Sequence, residues 1–547
     1  MNSEKQPLNV TQPPPGSPRS IDDVLEYAYS STSFRGRWRF YIIFFALGLA
    51  NSSDSAEMGC MGTVMASSSF QHDILQESFD SEADFARRGA AIAGAHLAGM
   101  LISGLLAGVL ADVWGRRNTL LLGLACNSLV GVASAMSRTA TELFFLRFLC
   151  GLGLGLVISG VVTLSAEIAP PSKRGRFMAI VGSCYTLGYL YISCWAVVIF
   201  QSSGSGNWRL FLFINTLPTL VSLSIAFAQV PESPRFYLSR GMLREAAHAT
   251  SLVAGKLGCD HYLTEQELRK YLFQAKALGR TSNLGKESLQ QYEHATHQSL
   301  PMEFLVKLMS LQEVYQDGLY KITIPLQFAY ICLTLVTGVN FWWTKIFQGL
   351  HLTVDPFLMS LLHTLAQFPG IMVATYLIDK IGRRSLVAMG CATMFLMLCL
   401  LSRVASNHSA EESTTSEAML ILLFANINTI GLCLGWLGLD CLCTESFPTR
   451  IRSTGSSVCK ASGRAFGFLV QFIYGPLINS KRFGFALGLA SSISLIGVFI
   501  AYQTTDTLNA DLNDHWEPAT KQDNDSTQHA KQSRKASIAK KYFAIEV

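Results

Sequence analysis

Two carboxylates interrupt the first long apolar stretch of the sequence. Asp54 and Glu57 lie at positions i and i+3, so they share one face if the stretch is a helix. An ionised group inside a bilayer costs at least about 2.5 kcal/mol on insertion scales. Because neighbouring carboxylates repel each other when both are ionised, one of them tends to hold a proton. This pattern predicts that Asp54 or Glu57 binds a proton or a cationic substrate. A structural ion pair with Arg147 is the alternative.

Further charged residues lie in apolar stretches of the second half of the chain. Lys460 and Arg464 occupy positions i and i+4, and Asp440 lies near the same end of the preceding stretch as Lys460. A structural Asp440–Lys460 pair is therefore the simplest prediction. Arg464 is closer to the middle of its stretch, where it could bind an anion or balance the acids Asp54 and Glu57.

An amide and several aromatic residues are candidates for the walls of a substrate pocket. A buried amide requires hydrogen-bond partners, which favours Asn340 as a binding residue. Aromatic faces bind rings and cations, and Trp343 lies three residues after Asn340. Each aromatic residue could equally pack against neighbouring helices or lie at the membrane interface. The other aromatic candidates are Tyr185, Tyr189, Trp342 and Trp436.

Two charged motifs each occur twice in the chain. The pattern Asp-x-x-Gly-Arg-Arg begins at Asp112 and Asp379, and the pattern Glu-x-x-Pro-x-x-x-Arg begins at Glu167 and Glu445. This repetition predicts two parallel halves with a central site between them. Guanidinium groups form paired bonds with carboxylates and bind helix-end carbonyls, so we expect these loops to latch neighbouring helices as an inner gate. The alternative is that these loops form no gate and that their positive charge only sets the orientation of the chain in the membrane. The predicted gate comprises Gly108, Asp112, Gly115, Arg116, Arg117, Glu167, Arg174, Asp379, Gly382, Arg383, Arg384, Glu445 and Arg452.

The stretches that carry these residues are long enough to cross a membrane. Only 15% of the 547 residues are charged, against about 25% in a soluble domain. Apolar runs of about 18 or more residues are candidate transmembrane helices. This composition excludes a soluble enzyme as the main interpretation. Twelve spans are predicted and are numbered in chain order: 40–65, 90–111, 118–136, 143–166, 177–200, 209–230, 321–345, 356–378, 385–403, 418–443, 454–478 and 483–502.

The spans divide the chain into five regions. We expect a disordered cytoplasmic N-terminus at 1–39, an N-terminal half at 40–230, a cytoplasmic helical linker at 231–320, a C-terminal half at 321–502 and a disordered cytoplasmic C-terminus at 503–547. Within the linker, Thr264-x-x-Glu267 is a capping-box pattern that predicts the start of a helix. Lys and Arg concentrate in the loops after spans 2, 4, 8 and 10. This bias predicts that these loops and both termini are cytoplasmic.

Several motifs that are absent from the sequence argue against other classes of function. The sequence contains no Gly-x4-Gly-Lys-Ser/Thr phosphate loop, which argues against an ATP-driven pump. The formal charge of +5 comes from loops rather than from a basic domain, so nucleic acid is not an expected partner. No residue pattern predicts a bound metal ion or another cofactor. Asn407-His408-Ser409 is a glycosylation sequon in a loop away from the predicted cytoplasmic side, and its use stays open.

A set of motifs also carries a family resemblance. They are Asp54-Ser55-Ala56-Glu57-Met58, Gly108-x3-Asp112-x2-Gly115-Arg116-Arg117, Arg147-x3-Gly151-x-Gly153-x-Gly155, Pro231-Glu232-Ser233-Pro234-Arg235, Thr337-Gly338-Val339-Asn340 and Thr444-Glu445-Ser446-Phe447-Pro448-Thr449-Arg450. With these motifs, the sequence over residues 38–503 resembles the major facilitator superfamily. It is most similar to the branch of the synaptic-vesicle-protein-two-related and organic-ion transporters, with features of the sugar porters.

This resemblance implies a fold and roles for several residues. The implied fold is the all-α major facilitator fold, with twelve transmembrane helices in two pseudo-symmetric six-helix halves. In proton-coupled sugar porters an Asp of span 1 and an Arg of span 4 form the coupling pair, which implies this role for Asp54 or Glu57 with Arg147. In organic-anion relatives a basic residue on span 11 faces the substrate, and Arg464 matches that place.

Two departures from the family pattern argue against a hexose substrate. The glutamine pair that hexose porters carry just before their span-7 motif is absent from this sequence. The Pro-Glu-Thr signature after span 12 is also missing, and Thr504-Thr505-Asp506 stands in its place.

The sequence therefore predicts a secondary active transporter that moves a small organic solute by alternating access. The solute would be an organic ion or a sugar-like molecule, and the span-1 acids favour proton coupling, as in a symporter. Two alternatives stay open: a facilitative sugar or polyol uniporter, and a sensor or vesicle-trafficking protein that transports nothing. We expect a monomer in the plasma membrane or a vesicle or other internal membrane. Its expected partners are the substrate, protons and the lipid bilayer.

Overall fold

The computed structural model is built from long helices. It describes residues 20–33, 36–76, 82–200, 206–259, 263–277, 310–316, 318–350, 352–407, 415–447 and 452–506. Within these ranges no β-strand is present. The predictions for residues 1–19 and for the tail beyond 506 lie outside the described residues, as do the side chains of Asn407, Asp379 and Arg452.

Each of the twelve predicted spans corresponds to a long helix or to a helix pair. In chain order they are Trp38–Ala66, Glu82–Trp114, Arg116–Ala135, Ala140–Ile168, Arg174–Phe200, Trp208–Gln229, Tyr320–Asn340, Pro356–Leu365 with Gln367–Ile381, Arg383–Asn407, Thr415–Ser446, Arg452–Asn479 and Phe483–Gln503. By length and composition alone, ten of them qualify to cross a membrane. Spans 1 and 11 do not qualify, and these two helices carry Asp54, Glu57, Lys460 and Arg464.

The two halves repeat the same helix packing. In the N-terminal half span 1 packs on spans 5 and 6, span 2 on span 4, and span 3 on spans 4 and 6. Adding six to each number gives the pairs found in the C-terminal half, namely 7 with 11 and 12, 8 with 10, and 9 with 10 and 12. Between the halves, span 2 packs on span 11 and span 5 on span 8. The structure thus has the predicted pseudo-symmetry.

Small residues let span 4 pack closely on its neighbours. A Cβ atom at Gly151 would overlap the backbone carbonyl of His96 in span 2, and one at Gly153 would lie 2.8 Å from the carbonyl oxygen of Gly123 in span 3. Close backbone approach of this kind is a common basis of helix association in membranes.

Span 8, predicted at 356–378, is divided into two helices. The first helix ends at Leu365 and the second begins at Gln367. Pro369 lies in the first turn of the second helix. Its ring would clash with the carbonyl group of residue 365, four positions earlier, so a continuous helix is disfavoured there.

A short helix lies inside the segment 1–39 that was expected to be disordered. Ile21–Ser31 is helical and begins with a capping box in which Ser20 and Asp23 exchange bonds of 3.0 Å. Its apolar side chains Val24 and Leu25 are buried, and it packs on the linker helix Leu243–Lys256. Burial of this face outweighs the polar character of the segment, so the prediction of disorder is wrong for these residues.

The linker also contains the predicted helix start. Thr264 donates its backbone N–H to Glu267 at 3.0 Å, and Glu267 donates its own N–H to the Thr264 hydroxyl at 3.3 Å. This capping box precedes the helix Glu265–Ala277. Among the described linker residues, Pro234–Ser239 and Leu243–Lys256 are also α-helical, and Ser310–Tyr315 forms a 3-10 helix.

The close packing of span 4 can be tested with a single methyl group. We expect Gly151→Ala to destabilise the protein by about 1–3 kcal/mol, because the methyl group would overlap the backbone of span 2. The matched control is Gly182→Ala, where a Cβ meets no heavy atom within 4 Å and where a neutral or slightly stabilising effect is expected. Thermal unfolding in one detergent measures both variants. Equal midpoints would contradict the described contact between spans 2 and 4.

Candidate functional site

A buried ion pair lies at the centre of the N-terminal half. Glu57 of span 1 accepts a hydrogen bond from Arg147 Nη1 of span 4, and only 3% and 1% of the two side chains are exposed. The second carboxylate oxygen accepts a bond from the amide of Asn215 in span 6. Both oxygens of Glu57 therefore have donors from the same half. Asn215 was not predicted, although an amide in the middle of an apolar span was a signal for it.

Asp54 lies in a different environment from Glu57. Its side chain is buried, and its Oδ1 atom has no hydrogen-bond partner among the residues that the structure describes. The charged groups that act on it are Arg464 of span 11, which attracts it, and Glu57, which repels it. The two acids of span 1 are thus distinguished by their surroundings. Glu57 is paired within its half, whereas Asp54 Oδ1 has no such partner and the cation that attracts Asp54 belongs to the other half.

Arg464 reaches across the boundary between the halves. Its Nη1 atom donates a hydrogen bond of 3.1 Å to the backbone carbonyl of Met100 in span 2. The guanidinium also occupies the space that a Cβ atom at Gly104 would need, so the glycine makes room for it. Arg464 therefore joins span 11 to span 2 through a hydrogen bond, and its charge also attracts Asp54 of span 1.

The predicted Asp440–Lys460 pair is present in the C-terminal half. Lys460 Nζ lies 3.0 Å from Asp440 Oδ1, and the Tyr330 hydroxyl of span 7 donates to the same oxygen at 2.6 Å. This acid is consequently engaged by partners from its own half, as Glu57 is in the other half.

Asn340 and Trp343 are hydrogen-bond partners of each other. The Trp343 indole N–H donates to Asn340 Oδ1 at 2.8 Å. The Trp343 ring lies 5.2 Å from the ring of His363 in span 8, and a His363 ring nitrogen is 3.1 Å from the Thr429 hydroxyl of span 10. Spans 7, 8 and 10 are thus joined by one buried polar and aromatic cluster. Neither His363 nor Thr429 was singled out in the sequence, because single polar residues in spans are common.

The other aromatic candidates have separate surroundings. The Trp342 indole donates to Gln471 of span 11 at 2.9 Å, and the Trp436 indole donates to Thr337 at 3.3 Å. Tyr185 and Tyr189 of span 5 form an edge-to-face pair with ring centroids 5.7 Å apart, and the charge of Asp54 acts on both.

We call the side of the molecule that bears residues 20 and 506 the termini side. On this side of the N-terminal half, Arg116 lies between two acids. Its guanidinium is 2.9 Å from Asp112 and 3.5 Å from Glu167. Arg117 donates to the carbonyls of Phe227 and Val230 at the end of span 6, at 2.8 and 2.7 Å. These contacts link spans 2, 3, 4 and 6.

The C-terminal half has a matching arrangement. Arg383 Nε lies 3.1 Å from Glu445, which links spans 9 and 10. Arg384 lies over the ring of Tyr502 in span 12 at 5.7 Å. The repeated motifs therefore place equivalent arginines against equivalent helices, as their spacing predicted.

An acid that follows the last helix of each half binds backbone N–H groups at the start of the third helix. Glu232 accepts the backbone N–H of Arg117 at 3.0 and 3.2 Å, and Asp506 accepts that of Arg383 at 3.2 Å. Carboxylates are favoured at helix N-termini, where N–H groups lack partners. Burial raises the pKa of Glu232, while the N–H donors oppose that effect. Asp506 thus binds the N-terminus of a helix, although the Pro-Glu-Thr signature that the family carries after span 12 is missing.

Two further predicted gate residues have different surroundings. Arg174 is 3.3 Å from Asp22 of the N-terminal helix, and Asp22 also binds Arg235 at 2.7 Å. The N-terminal helix supplies this acid, from a segment that was expected to be disordered. A Cβ atom at Gly108 would meet no heavy atom of the described residues within 4 Å, so this glycine makes no close helix contact in this conformation.

The acids at the termini side give a second test. Replacing Glu232 by Ala removes a carboxylate that binds backbone N–H groups, and we expect a loss of about 1.5–3 kcal/mol of stability. Asp506 is exposed, so Asp506→Ala is expected to cost less because solvent screens it. Thermal unfolding in detergent measures both. A larger loss for Asp506→Ala than for Glu232→Ala would contradict this order.

Comparison with known proteins gives the family. The family model described as "Sugar (and other) transporter" matches residues 40–514. The organic cation/carnitine transporter 7 of Arabidopsis thaliana is 24% identical over 88% of this chain and 94% of its own length. The putative transporter svop-1 of Caenorhabditis elegans is 23% identical over 73% of this chain and 71% of its own.

A solved structure agrees with the fold. The partially occluded inward-open xylose transporter XylE from E. coli, a proton:xylose symporter of the major facilitator superfamily, aligns with a TM-score of 0.64 at 18% identity. The alignment covers 86% of this chain and 99% of that one. With the family model matching residues 40–514, the chain belongs to the sugar (and other) transporter family of the major facilitator superfamily and is a multi-pass membrane transporter, not an enzyme.

Proposed function

We propose that this transporter moves a small organic solute together with a proton by alternating access. The observation that carries the proposal is the environment of Asp54. It is a buried carboxylate with one oxygen unpartnered among the described residues, and the cation that attracts it, Arg464, belongs to the other half. A proton carrier needs an acid whose charge can be neutralised without destroying the fold.

Asp54 meets this requirement better than Glu57. Removing the charge of Glu57 would leave Arg147 buried without its counter-ion, and breaking a buried pair in this way costs about 3–5 kcal/mol. Protonation of Asp54 would instead weaken its attraction to Arg464. We therefore assign Glu57 with Arg147 to a fixed structural role and Asp54 to proton binding.

The Asp54–Arg464 attraction provides a route from proton binding to movement. The two residues belong to spans 1 and 11, in different halves. When Asp54 is ionised, the attraction favours arrangements that keep the two groups close. When it is protonated, other arrangements of the halves become comparatively more favourable. Coupling by differential stabilisation of two states is what alternating access requires.

Contacts between the halves indicate which side of the site is closed. Away from the termini side, the rings of Phe200 and Phe357 stack at 5.2 Å and the hydroxyls of Ser193 and Thr364 are 3.1 Å apart. A Cβ atom at Gly62 would overlap the carbonyl oxygen of Phe341, again joining the two halves. With both termini in the cytoplasm, as the Lys and Arg distribution favours, this conformation is closed to the outside.

The substrate is proposed to bind against the polar and aromatic cluster of spans 7, 8 and 10. Asn340, Trp343 and His363 offer an amide, an aromatic face and a ring nitrogen, a combination that suits a ring-bearing organic ion or a sugar-like molecule. Both halves of the candidate site belong to one chain, so a monomer suffices for transport. The membrane would be the plasma membrane or an internal membrane such as that of a vesicle.

The role of Asp54 can be tested in proteoliposomes. Uptake of a panel of labelled monosaccharides, organic cations and organic anions is measured with and without an imposed pH gradient. We expect gradient-driven accumulation of at least one solute by the wild type. Asp54→Asn is expected to lose that accumulation but to retain exchange of the solute, because only the proton site is removed. Glu57→Gln is expected to unfold at a lower temperature, because Arg147 loses its partner.

Other results would change the assignment. Accumulation retained by Asp54→Asn would exclude Asp54 as the proton site. Uptake by the wild type that ignores the gradient would indicate the facilitative carrier, and no uptake of any solute would favour the sensor or trafficking protein.

The proposed pocket wall can be tested through substrate affinity. Trp343→Phe keeps an aromatic ring but removes the N–H that binds Asn340. We expect its KM for exchange to rise about 3–10-fold, as for one lost hydrogen bond. Trp38→Phe is the control, since Trp38 is 55% exposed at the start of span 1. Equal KM values for both variants would assign Trp343 to packing.

A further inference from the structure

A cleft separates spans 5 and 8 on the termini side. It has a volume of about 440 Å³, within the range of small-molecule sites. Its walls include Ile180, Ser183 and Leu187 of span 5 and Phe368 at the start of the second helix of span 8. Arg176, one turn from the termini-side end of span 5, also lines it. The cleft is thus an apolar groove with a cation near one end.

The same two spans are in contact farther from the termini side. There the Phe200–Phe357 stack and the Ser193–Thr364 hydrogen bond join them. The division of span 8 at Leu365 lies between these contacts and Phe368. The two halves therefore separate at the cleft. The break in span 8 lies at the end of the cleft that is farther from the termini side.

The stripe of span 5 that lines the cleft is exposed at bilayer depth. Ile180 and Leu187 are 50% and 49% exposed, and they follow Arg176 at helical spacing on one face. Exposed apolar side chains of a transmembrane helix that face the bilayer are covered by lipid hydrocarbon. Arg176 lies near the end of the helix, where a basic side chain reaches the headgroup layer. Basic pockets between transmembrane helices are suited to anionic headgroups.

We propose that this cleft binds an anionic phospholipid. The acyl chain lies along Ile180, Leu187 and Phe368, and the headgroup phosphate binds Arg176. Since closing the cleft would bring spans 5 and 8 together, the bound lipid stabilises the conformation in which the halves are apart on the termini side. Binding does not rest on the proposed proton coupling; only an effect on turnover would.

Native mass spectrometry of the purified full-length chain tests the site. The protein is equilibrated with equal amounts of phosphatidylglycerol and phosphatidylcholine, and the retained adducts are counted. We expect the wild type to retain more phosphatidylglycerol. Arg176→Gln is expected to reduce that preference about fivefold, as for loss of one cation at an anionic surface. Arg39→Gln is the matched control: Arg39 is exposed at the same side, at the start of span 1, and does not line the cleft.

A second variant tests the groove itself. Leu187→Trp would fill the cleft, so this variant is expected to lose the lipid adduct. Because Leu187 is half exposed, the variant is expected to unfold at the wild-type temperature. Asp54→Asn is expected to bind lipid like the wild type, so failure of proton coupling and failure of the lipid site give different results. Equal retention of the two lipids by the wild type would overturn the proposal. So would equal effects of Arg176→Gln and Arg39→Gln, or full retention by Leu187→Trp.

Discussion

The cost of an unpaired charge in a bilayer is the constraint on which the rest of this structure depends. Ionised side chains at membrane depth need a partner or a wet cavity. Glu57 and Asp440 satisfy this rule within their own halves, each with one cation and one uncharged donor. Asp54 is different: its buried Oδ1 atom has no hydrogen-bond partner among the described residues, and the cation that attracts it, Arg464, belongs to the other half. The proposed proton site is therefore the carboxylate of span 1 whose surroundings depend on how the halves are arranged.

The termini side follows a second constraint, the need to satisfy helix ends. In each half a glycine with positive φ, 101° at Gly115 and 86° at Gly382, turns the chain into the third helix of that half. A side chain at either glycine would also meet the carboxylate of Glu232 or Asp506. The glycine thus permits both the turn and the approach of the acid that binds the helix N-terminus. Different motifs after spans 6 and 12 lead to the same contact.

Much of this architecture could be predicted because its signals are local. Hydrophobic length located the twelve spans, and the repeated acid and arginine motifs predicted the two halves and their latches. The helix at Ile21–Ser31 was missed because its stability comes from burial against the linker, which composition does not report. The break in span 8 was missed although Pro369 was visible, because a proline within an apolar run can kink a helix or leave it continuous.

The sequence by itself predicted twelve spans in two halves and determined which charged residues lie within those spans. Hydropathy and motif spacing are properties of the chain and need no knowledge of neighbours. Only the tertiary structure decided how the two acids of span 1 differ, since they have similar side chains one helical turn apart. Arg147 and Asn215 approach one of them and Arg464 acts on the other. That difference arises from which helices pack around span 1. A local sequence pattern does not specify such long-range packing.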